Sequence, residues 1–381
     1  MDGTNLLVML LVVGARLFVP LFIPKYPLPA GILALVIDGV DQTIFQAFTT
    51  MQLDWYQSYD KALDVYYLSI EYLSTMRNWI NLYAFRMSQF LFYFRLVGVL
   101  LFELLHLRAL LLLFPNTFEY FFLFYEAVRL RWNPKRLSAA AVIGAAFAIW
   151  VFIKVPQEYW IHIAQLDVTD ALKVQVFGVP VDTSWSAIVS SNILFFVVLL
   201  AELIVLIVLA RWLIVTKLPP ADWGFSFSAD AHGSDVTVEE ADAARLAGAR
   251  RLFSAALFEK FVLVSLITII FSRILPGVNI GVVHLAVGVA TLIVANTAVS
   301  EWLVRRGVGW QSAVLEFVVM ATINAGLVTI FSVLLPWMSG ASIDSPAVLF
   351  GVLLLTLLVT LYDRFKPYQQ VRAARAAARS T

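Results

Sequence analysis

Uninterrupted apolar stretches of roughly 20 residues recur along this chain, and each is long enough to cross about 30 Å of hydrocarbon. Apolar residue types make up 61% of the 381 residues, charged types only 14%, and the mean hydropathy is +0.84. A soluble domain has about 25% charged residues and cannot cover its surface with so few. The sequence therefore predicts an all-α, polytopic helical integral membrane protein whose principal partner is the lipid bilayer.

Eleven segments are candidates for membrane-spanning helices, so about 10–12 spans are expected. The segments are residues 1–24, 30–48, 56–76, 79–107, 115–130, 138–155, 187–214, 252–275, 281–304, 312–337 and 347–363. Basic residues cluster at 129–136 and in the tail, and such clusters beside a span are typical of the cytoplasmic side. We therefore expect a protein of the cell membrane with a cytoplasmic C-terminus.

Composition divides the chain into five regions. They are a membrane region with intramembrane charges (1–136), two spans with an acidic outer loop (137–216), a polar cytoplasmic loop (217–251), four further spans (252–363) and a basic cytoplasmic tail (364–381). The polar loop has little apolar surface to bury, which predicts low order. A net charge of +1 argues against a nucleic-acid partner, and the absence of cysteine excludes disulfides and thiolate chemistry.

Ionisable residues are concentrated in the first region, which makes it the candidate functional part. A charge at the bilayer centre costs at least ~2.5–3.5 kcal/mol, so these side chains must face one another, a water-filled cavity or a bound ion. Residues 38–136 contain nine acids and nine bases, namely Asp38, Asp41, Asp54, Asp60, Asp64, Glu71, Glu103, Glu119 and Glu126 with Lys61, Arg77, Arg86, Arg95, Arg108, Arg129, Arg131, Lys135 and Arg136.

Helical spacing places polar residues on one face of the second span and on one face of the third. The two faces consist of Asp38, Asp41 and Gln42, and of Asp60, Asp64, Tyr67, Glu71 and Asn78. With Arg86 and Arg95 of the fourth span expected opposite, they form the predicted substrate or ion site. The alternative is that the same charges form buried ion pairs that only hold the helices together.

The acidic pairs Asp38-x-x-Asp41 and Asp60-x-x-x-Asp64 lie on successive spans. Paired carboxylates suit hard divalent cations such as Mg²⁺, so these four aspartates are the predicted metal ligands. The spacing D-x2-D-x18-D-x3-D resembles the motif of the CDP-alcohol phosphotransferases, integral-membrane enzymes that join a CDP-linked group to an alcohol. The resemblance implies that Asp38, Asp41 and Asp60 hold metal and that Asp64 is the catalytic base.

The chain departs from that family's pattern around the aspartates. Gln42 stands where the family has glycine, Phe45-Gln46 where it has Ala-Arg, and Tyr56 where it has another glycine. No Walker loop, G-x-S-x-G turn or HExxH motif is present. The favoured function is a transporter or permease for a small molecule, ion or lipid. The alternatives are a metal-dependent membrane enzyme that transfers a phosphate-linked group to a lipid or alcohol, and a structural or assembly subunit.

Overall fold

The computed structural model describes residues 3–50, 56–166, 168–231, 235–249, 255–275, 282–305, 313–339 and 345–380. Within these ranges the chain is helical and contains no β-strand, which confirms the all-α prediction. Asp54 and parts of the polar loop (232–234 and 250–251) lie outside the described residues.

Sixteen α-helical segments follow one another in the described residues. They are α1 (Gly3–Phe18), α2 (Pro27–Phe48), α3 (Tyr56–Asn78), α4 (Leu82–Leu105), α5 (Ala109–Leu113), α6 (Thr117–Arg129), α7 (Ala139–Ala148), α8 (Val155–Glu158), α9 (Val168–Ala171), α10 (Trp185–Ser191), α11 (Ile193–Lys217), α12 (Val238–Ala249), α13 (Ala255–Ile274), α14 (Val282–Arg305), α15 (Ala313–Ser339) and α16 (Ser345–Ser380).

Turns of π-helix join α7 to α8 and extend α8, so that Ala139–Ile163 is one continuous helix. The predicted end of this span at residue 155 is therefore wrong, since the helix continues to Ile163. Proline lacks the N–H that an α-helical turn uses, and here it lies in the first turn of α8, between two stretches of the wider π-helix. The helix consequently continues past the proline.

Seven helical segments among the described residues are long and apolar enough to cross a membrane. They are Gly3–Phe22, Pro27–Phe48, Leu82–Leu105, Ala139–Ile163, Ile193–Lys217, Ala255–Ile274 and Pro346–Arg379. The expected number was larger because it also included α3, α6, α14 and α15, none of which meets both conditions among the described residues. Helix α3 is too polar, and the 13 residues of α6 extend only about 20 Å. In α14 and α15 the described apolar stretches are the shorter Ala290–Val299 and Leu315–Ile330.

Helix α3 lies at the centre of the bundle, where it packs against α1, α2, α4, α6, α13 and α16. Its apolar side chains Leu63, Ile70 and Met76 are fully buried, and so is the polar Glu71. The sequence predicts that this segment is too polar to face lipid, and the surrounding helices do enclose it. The polar stripe of α3 therefore lies in the interior of the bundle.

The described part of the polar loop packs against basic residues at one end of the bundle. Asp222 accepts a 2.7 Å hydrogen bond from the backbone N–H of Asn133 and forms a 2.6 Å ion pair with Arg136. Asp230 pairs with Arg77 at 2.6 Å. These acids of the loop therefore find cationic partners elsewhere in the chain.

A reciprocal cap begins α12 within the same loop. The backbone N–H of Thr237 donates to Glu240 at 2.9 Å, while the Thr237 hydroxyl accepts from the backbone N–H of Glu240 at 3.2 Å. The bond from the Thr237 N–H stabilises the carboxylate and lowers the pKa of Glu240. Glu240 also binds Arg375 of α16. This contact ties the loop to the C-terminal helix.

Arg372 of α16 binds the last turn of α3. Its guanidinium donates to the carbonyl oxygens of Met76 at 2.8 Å and Arg77 at 2.6 Å, and it pairs with Asp235 at 2.8 Å. Cations at a helix C-terminus satisfy carbonyls that have no intrahelical partner. The end of α3, the polar loop and the tail of α16 therefore lie at the same end of the bundle.

Candidate functional site

The two acidic pairs identified in the sequence come together between α2 and α3. Carboxylate oxygens of Asp38, Asp60 and Asp64 lie within 4.8 Å of one another. Asp41 lies beside them and accepts a 2.6 Å hydrogen bond from the Tyr56 hydroxyl. Asp38, Asp41, Asp60 and Asp64 are called the aspartate quartet here.

Arg16 of α1 occupies the centre of the aspartate quartet. Its Nη1 donates to Asp41 and Asp60, and its Nη2 donates to Asp38 and Asp64. One guanidinium carries one positive charge, whereas four ionised carboxylates carry four negative charges. Arg16 therefore neutralises only a quarter of the charge that the ionised quartet would have.

The members of the aspartate quartet differ in exposure. The side chains of Asp38, Asp60 and Asp64 are 30%, 36% and 41% exposed, whereas those of Asp41 and Arg16 are each 4% exposed. The buried pair forms the floor of the site, and the other three carboxylates line its open side. The three carboxylates whose oxygens converge are therefore the more exposed members of the quartet.

The antiparallel register of α2 and α3 explains why the quartet assembles. Phe45 packs edge-on against Tyr56 with ring centroids 4.6 Å apart, and one to two turns further the acidic pairs share Arg16. Two turns beyond Asp38 towards the start of α2, the backbone at Gly31 approaches Glu71 of α3. Asp38 and Gly31 are seven residues apart, as are Asp64 and Glu71, and seven residues are nearly two full helical turns. Equal steps in opposite directions along two antiparallel helices therefore return to the faces that contact each other.

The predicted arginine partners do not bind the aspartates directly. Arg86 is exposed, and Nη1 of Arg95 donates to the carbonyl oxygen of Phe114 at 3.0 Å. Gln42 is also exposed, because it lies about 100° around α2 from Asp41. Among the described residues the aspartates form their ion pairs with Arg16 and not with Arg86 or Arg95, and Arg95 acts on Asp64 only electrostatically.

The polar stripe of α3 continues from the quartet to the opposite end of the helix. The Tyr67 hydroxyl donates to Glu119 of α6. Asn78, at the last residue of α3, donates to the carbonyl oxygen of Pro24 at 3.0 Å, far along the helix from the aspartates. The predicted stripe therefore spans the bundle, but only its first two members contact Arg16.

A second polar cluster adjoins Glu119. Asn116 joins two carboxylates, because its side chain donates to Glu119 at 3.1 Å and its backbone N–H donates to Glu158 at 3.1 Å. Glu158 also lies 3.6 Å from Lys154 and 3.0 Å from Nε2 of His162. Sequence reasoning missed Glu158 and His162 of this cluster because it ended the span at residue 155.

Glu71 is the one member of the predicted site that is both fully buried and unpaired. Its exposed fraction is 0%, and neither carboxyl oxygen has a hydrogen-bond partner among the described residues. The nearby Glu126 of α6 is partnered, since it accepts from Nε1 of Trp79 at 2.8 Å and lies 2.9 Å from Nε of Arg129. Glu71 therefore has no counter-charge beside it in the part of the chain that the structure describes.

Sequence reasoning also missed Arg16, although a usable signal was present. It is the only base in the apolar segment 1–24, and an ionisable residue inside such a segment is a functional candidate by default.

Comparison with known proteins returns no relative. No protein-family model, no curated protein and no solved structure matches the chain.

Proposed function

We propose that this chain is a polytopic membrane transporter whose substrate or ion site is the aspartate quartet, and that the quartet binds a divalent cation such as Mg²⁺. The supporting observation is the convergence of carboxylate oxygens from Asp38, Asp60 and Asp64 at a polar site between α2 and α3, inside a bundle of apolar helices. Hard cations prefer such oxygen ligands.

The charge of the quartet supports cation binding. Arg16 leaves the ionised quartet with a formal charge of −3, and like charges repel strongly where water is scarce. A divalent cation among the three exposed carboxylates reduces this repulsion. Because Arg16 occupies the same oxygens, a bound cation displaces part of the guanidinium's hydrogen bonding. The carboxylates can therefore alternate between a state bound to Arg16 and a state bound to the cation.

The proposed topology follows from the helices and from the basic end of the bundle. Besides the seven long apolar helices, the enclosed α3 and the long α14 and α15 also cross, and α6 returns the chain from the far end of α4 to the start of α7, which gives eleven crossings, within the expected 10–12. The end that contains Arg77, Arg136 and Arg372 is cytoplasmic, because positive charge accumulates on that side. The protein then lies in the cell membrane with its C-terminus on the cytoplasmic side.

A second candidate is a metal-dependent membrane enzyme that transfers a phosphate-linked group to a lipid or alcohol. The observation in its favour is that the four aspartates resembling the CDP-alcohol phosphotransferase motif lie together, on successive helices. In that case Asp38, Asp41 and Asp60 hold the metal and Asp64 is the base. The missing glycines favour the transporter, because the family's close nucleotide approach needs them.

Reconstitution of the purified protein separates the two candidates. The transporter predicts that proteoliposomes accumulate a divalent cation, or a substrate in its presence, and that Asp60→Asn and Asp64→Asn abolish uptake while Arg86→Gln does not. The enzyme predicts cation-dependent release of CMP from a CDP-linked lipid in detergent micelles, where no gradient exists. Release of CMP without any vesicle uptake would overturn the transporter proposal.

A further inference from the structure

Glu71 lies seven residues beyond Asp64, on the same face of α3, and so about 10 Å further along the helix. It faces α2 and α6. A methyl group added at Gly31 of α2 would lie 3.2 Å from Oε1 of Glu71, 3.3 Å from Leu123 and 3.4 Å from Phe122. The carboxyl group is thus enclosed by a helix backbone and by apolar side chains.

An ionised carboxylate in this position would be an uncompensated buried charge, which proteins avoid by keeping the group neutral. The acid that acts on Glu71 electrostatically, Glu126 of α6, carries the same sign and already binds Trp79 and Arg129. On α2 and α3 the titratable side chains of the adjoining turns are Asp38 and Tyr67, and these bind Arg16 and Glu119.

Charged residues of the other helices around α3 also bind elsewhere. Glu259 of α13 binds Lys366 of α16 at 2.6 Å and accepts from the Tyr72 hydroxyl at 2.8 Å. Arg372 of α16 binds Asp235 and the carbonyl oxygens at the end of α3. No cation among the described residues is placed to neutralise Glu71.

We infer that Glu71 is a proton-binding site, occupied by a proton in this conformation, and that it exchanges its proton when a cation binds the aspartate quartet. The inference of exchange rests on the proposed cation site. Helix α2 contains both Asp38 and Gly31, which contacts Glu71. A shift of α2 on cation binding therefore changes the surroundings of Glu71, and the positive charge of the cation acts on the carboxyl group electrostatically as well. Positive charge at the quartet favours ionised Glu71, so cation binding releases the proton to solvent.

Infrared spectroscopy of the purified full-length protein tests the protonation. The wild-type protein should show the C=O band of a protonated carboxyl group that shifts in D₂O, and Glu71→Gln should lose it. Gln has nearly the same shape as the neutral acid, so the variant should unfold at the wild-type temperature. The control is Glu103→Gln, which removes a carboxylate paired with Lys61 at 3.1 Å and should retain the band. A band that survives Glu71→Gln would overturn the inference.

Titration with MgCl₂ in buffers of different ionisation enthalpy tests the exchange. The wild-type protein should release up to one more proton per bound Mg²⁺ than Glu71→Gln, while both bind Mg²⁺. Equal proton release by the two proteins would overturn the exchange. If neither protein binds Mg²⁺, the proposed cation site fails and the exchange fails with it, and the infrared band alone decides whether Glu71 holds a proton.

Discussion

The guanidinium of Arg16 binds the carboxylate of Asp64, 48 positions further along the chain, and through it α1 is joined to the central helix α3. The same guanidinium reaches the other three members of the aspartate quartet. A single cation shared by four acids differs from a set of one-to-one ion pairs, because loss of one acid does not leave the arginine unpaired. Substitution of Arg16 should therefore destabilise the protein more than substitution of any one of the four aspartates.

Replacement of Arg16 by Gln should be strongly destabilising. The change leaves four clustered carboxylates without a counter-charge, and breaking a buried ion pair from one side costs about 3–5 kcal/mol. Thermal unfolding in detergent should show a large decrease in melting temperature, and Mg²⁺ should restore part of it. Arg86→Gln removes an exposed arginine and should change stability by less than about 0.5 kcal/mol. Equal stability of the two variants would contradict the central position of Arg16.

Asp64→Asn should cost about 1 kcal/mol or less. Arg16 retains three carboxylates, and the side chain of Asp64 is 41% exposed, so the lost pair is worth little. The variant should remain folded but gain less stability from added Mg²⁺ than the wild-type protein does. A decrease in melting temperature as large as that of Arg16→Gln would show that the quartet is a structural network.

Gly98→Ala should destabilise the packing of α4. A methyl group there would lie 2.2 Å from Cβ of Phe114 and 2.7 Å from its Cγ, so the backbone around Phe114 must shift. Overpacking of this kind costs about 1–3 kcal/mol. At Gly39 of α2 nothing lies within 4 Å of the added methyl, so Gly39→Ala serves as the matched control. Chemical denaturation of both variants measures the difference, and equal midpoints would contradict the packing described here.

Arg372→Gln should loosen the end of α3. It removes the charged donor of two hydrogen bonds to backbone carbonyls and of the pair with Asp235, at a cost of about 1.5–3 kcal/mol. Hydrogen exchange should show faster opening at the last turn of α3 and in the polar loop together. Faster exchange confined to the tail would mean that Arg372 does not hold these segments.

The orientation can be tested directly because the chain contains no cysteine. A cysteine at Ser380 should resist a membrane-impermeant reagent in intact cells and react after permeabilisation. A cysteine at Asn5, which binds Thr50 near the end of α2 away from the basic cluster, should react in intact cells. The reverse pattern would place the basic end outside.

The fold class and the two acidic faces were predictable, since apolar length and helical spacing depend on local sequence. Asp38 and Asp64 could be placed on matching faces because each acidic pair repeats at three or four residues. That Arg16, and not Arg86 or Arg95, pairs with the aspartates could not be predicted, because the pairing depends on how α1 packs against α2 and α3. The burial of Glu71 without a partner, likewise, follows from the approach of Gly31, a tertiary contact.

The most direct test of the cation site is a calorimetric titration of MgCl₂ into the purified protein in detergent. The proposal predicts saturable binding of one Mg²⁺ per chain to the wild-type protein and loss of that binding in the Asp60→Asn/Asp64→Asn double variant, with both proteins folded. Absence of binding to the wild-type protein, or the same binding by the double variant, would contradict the proposal.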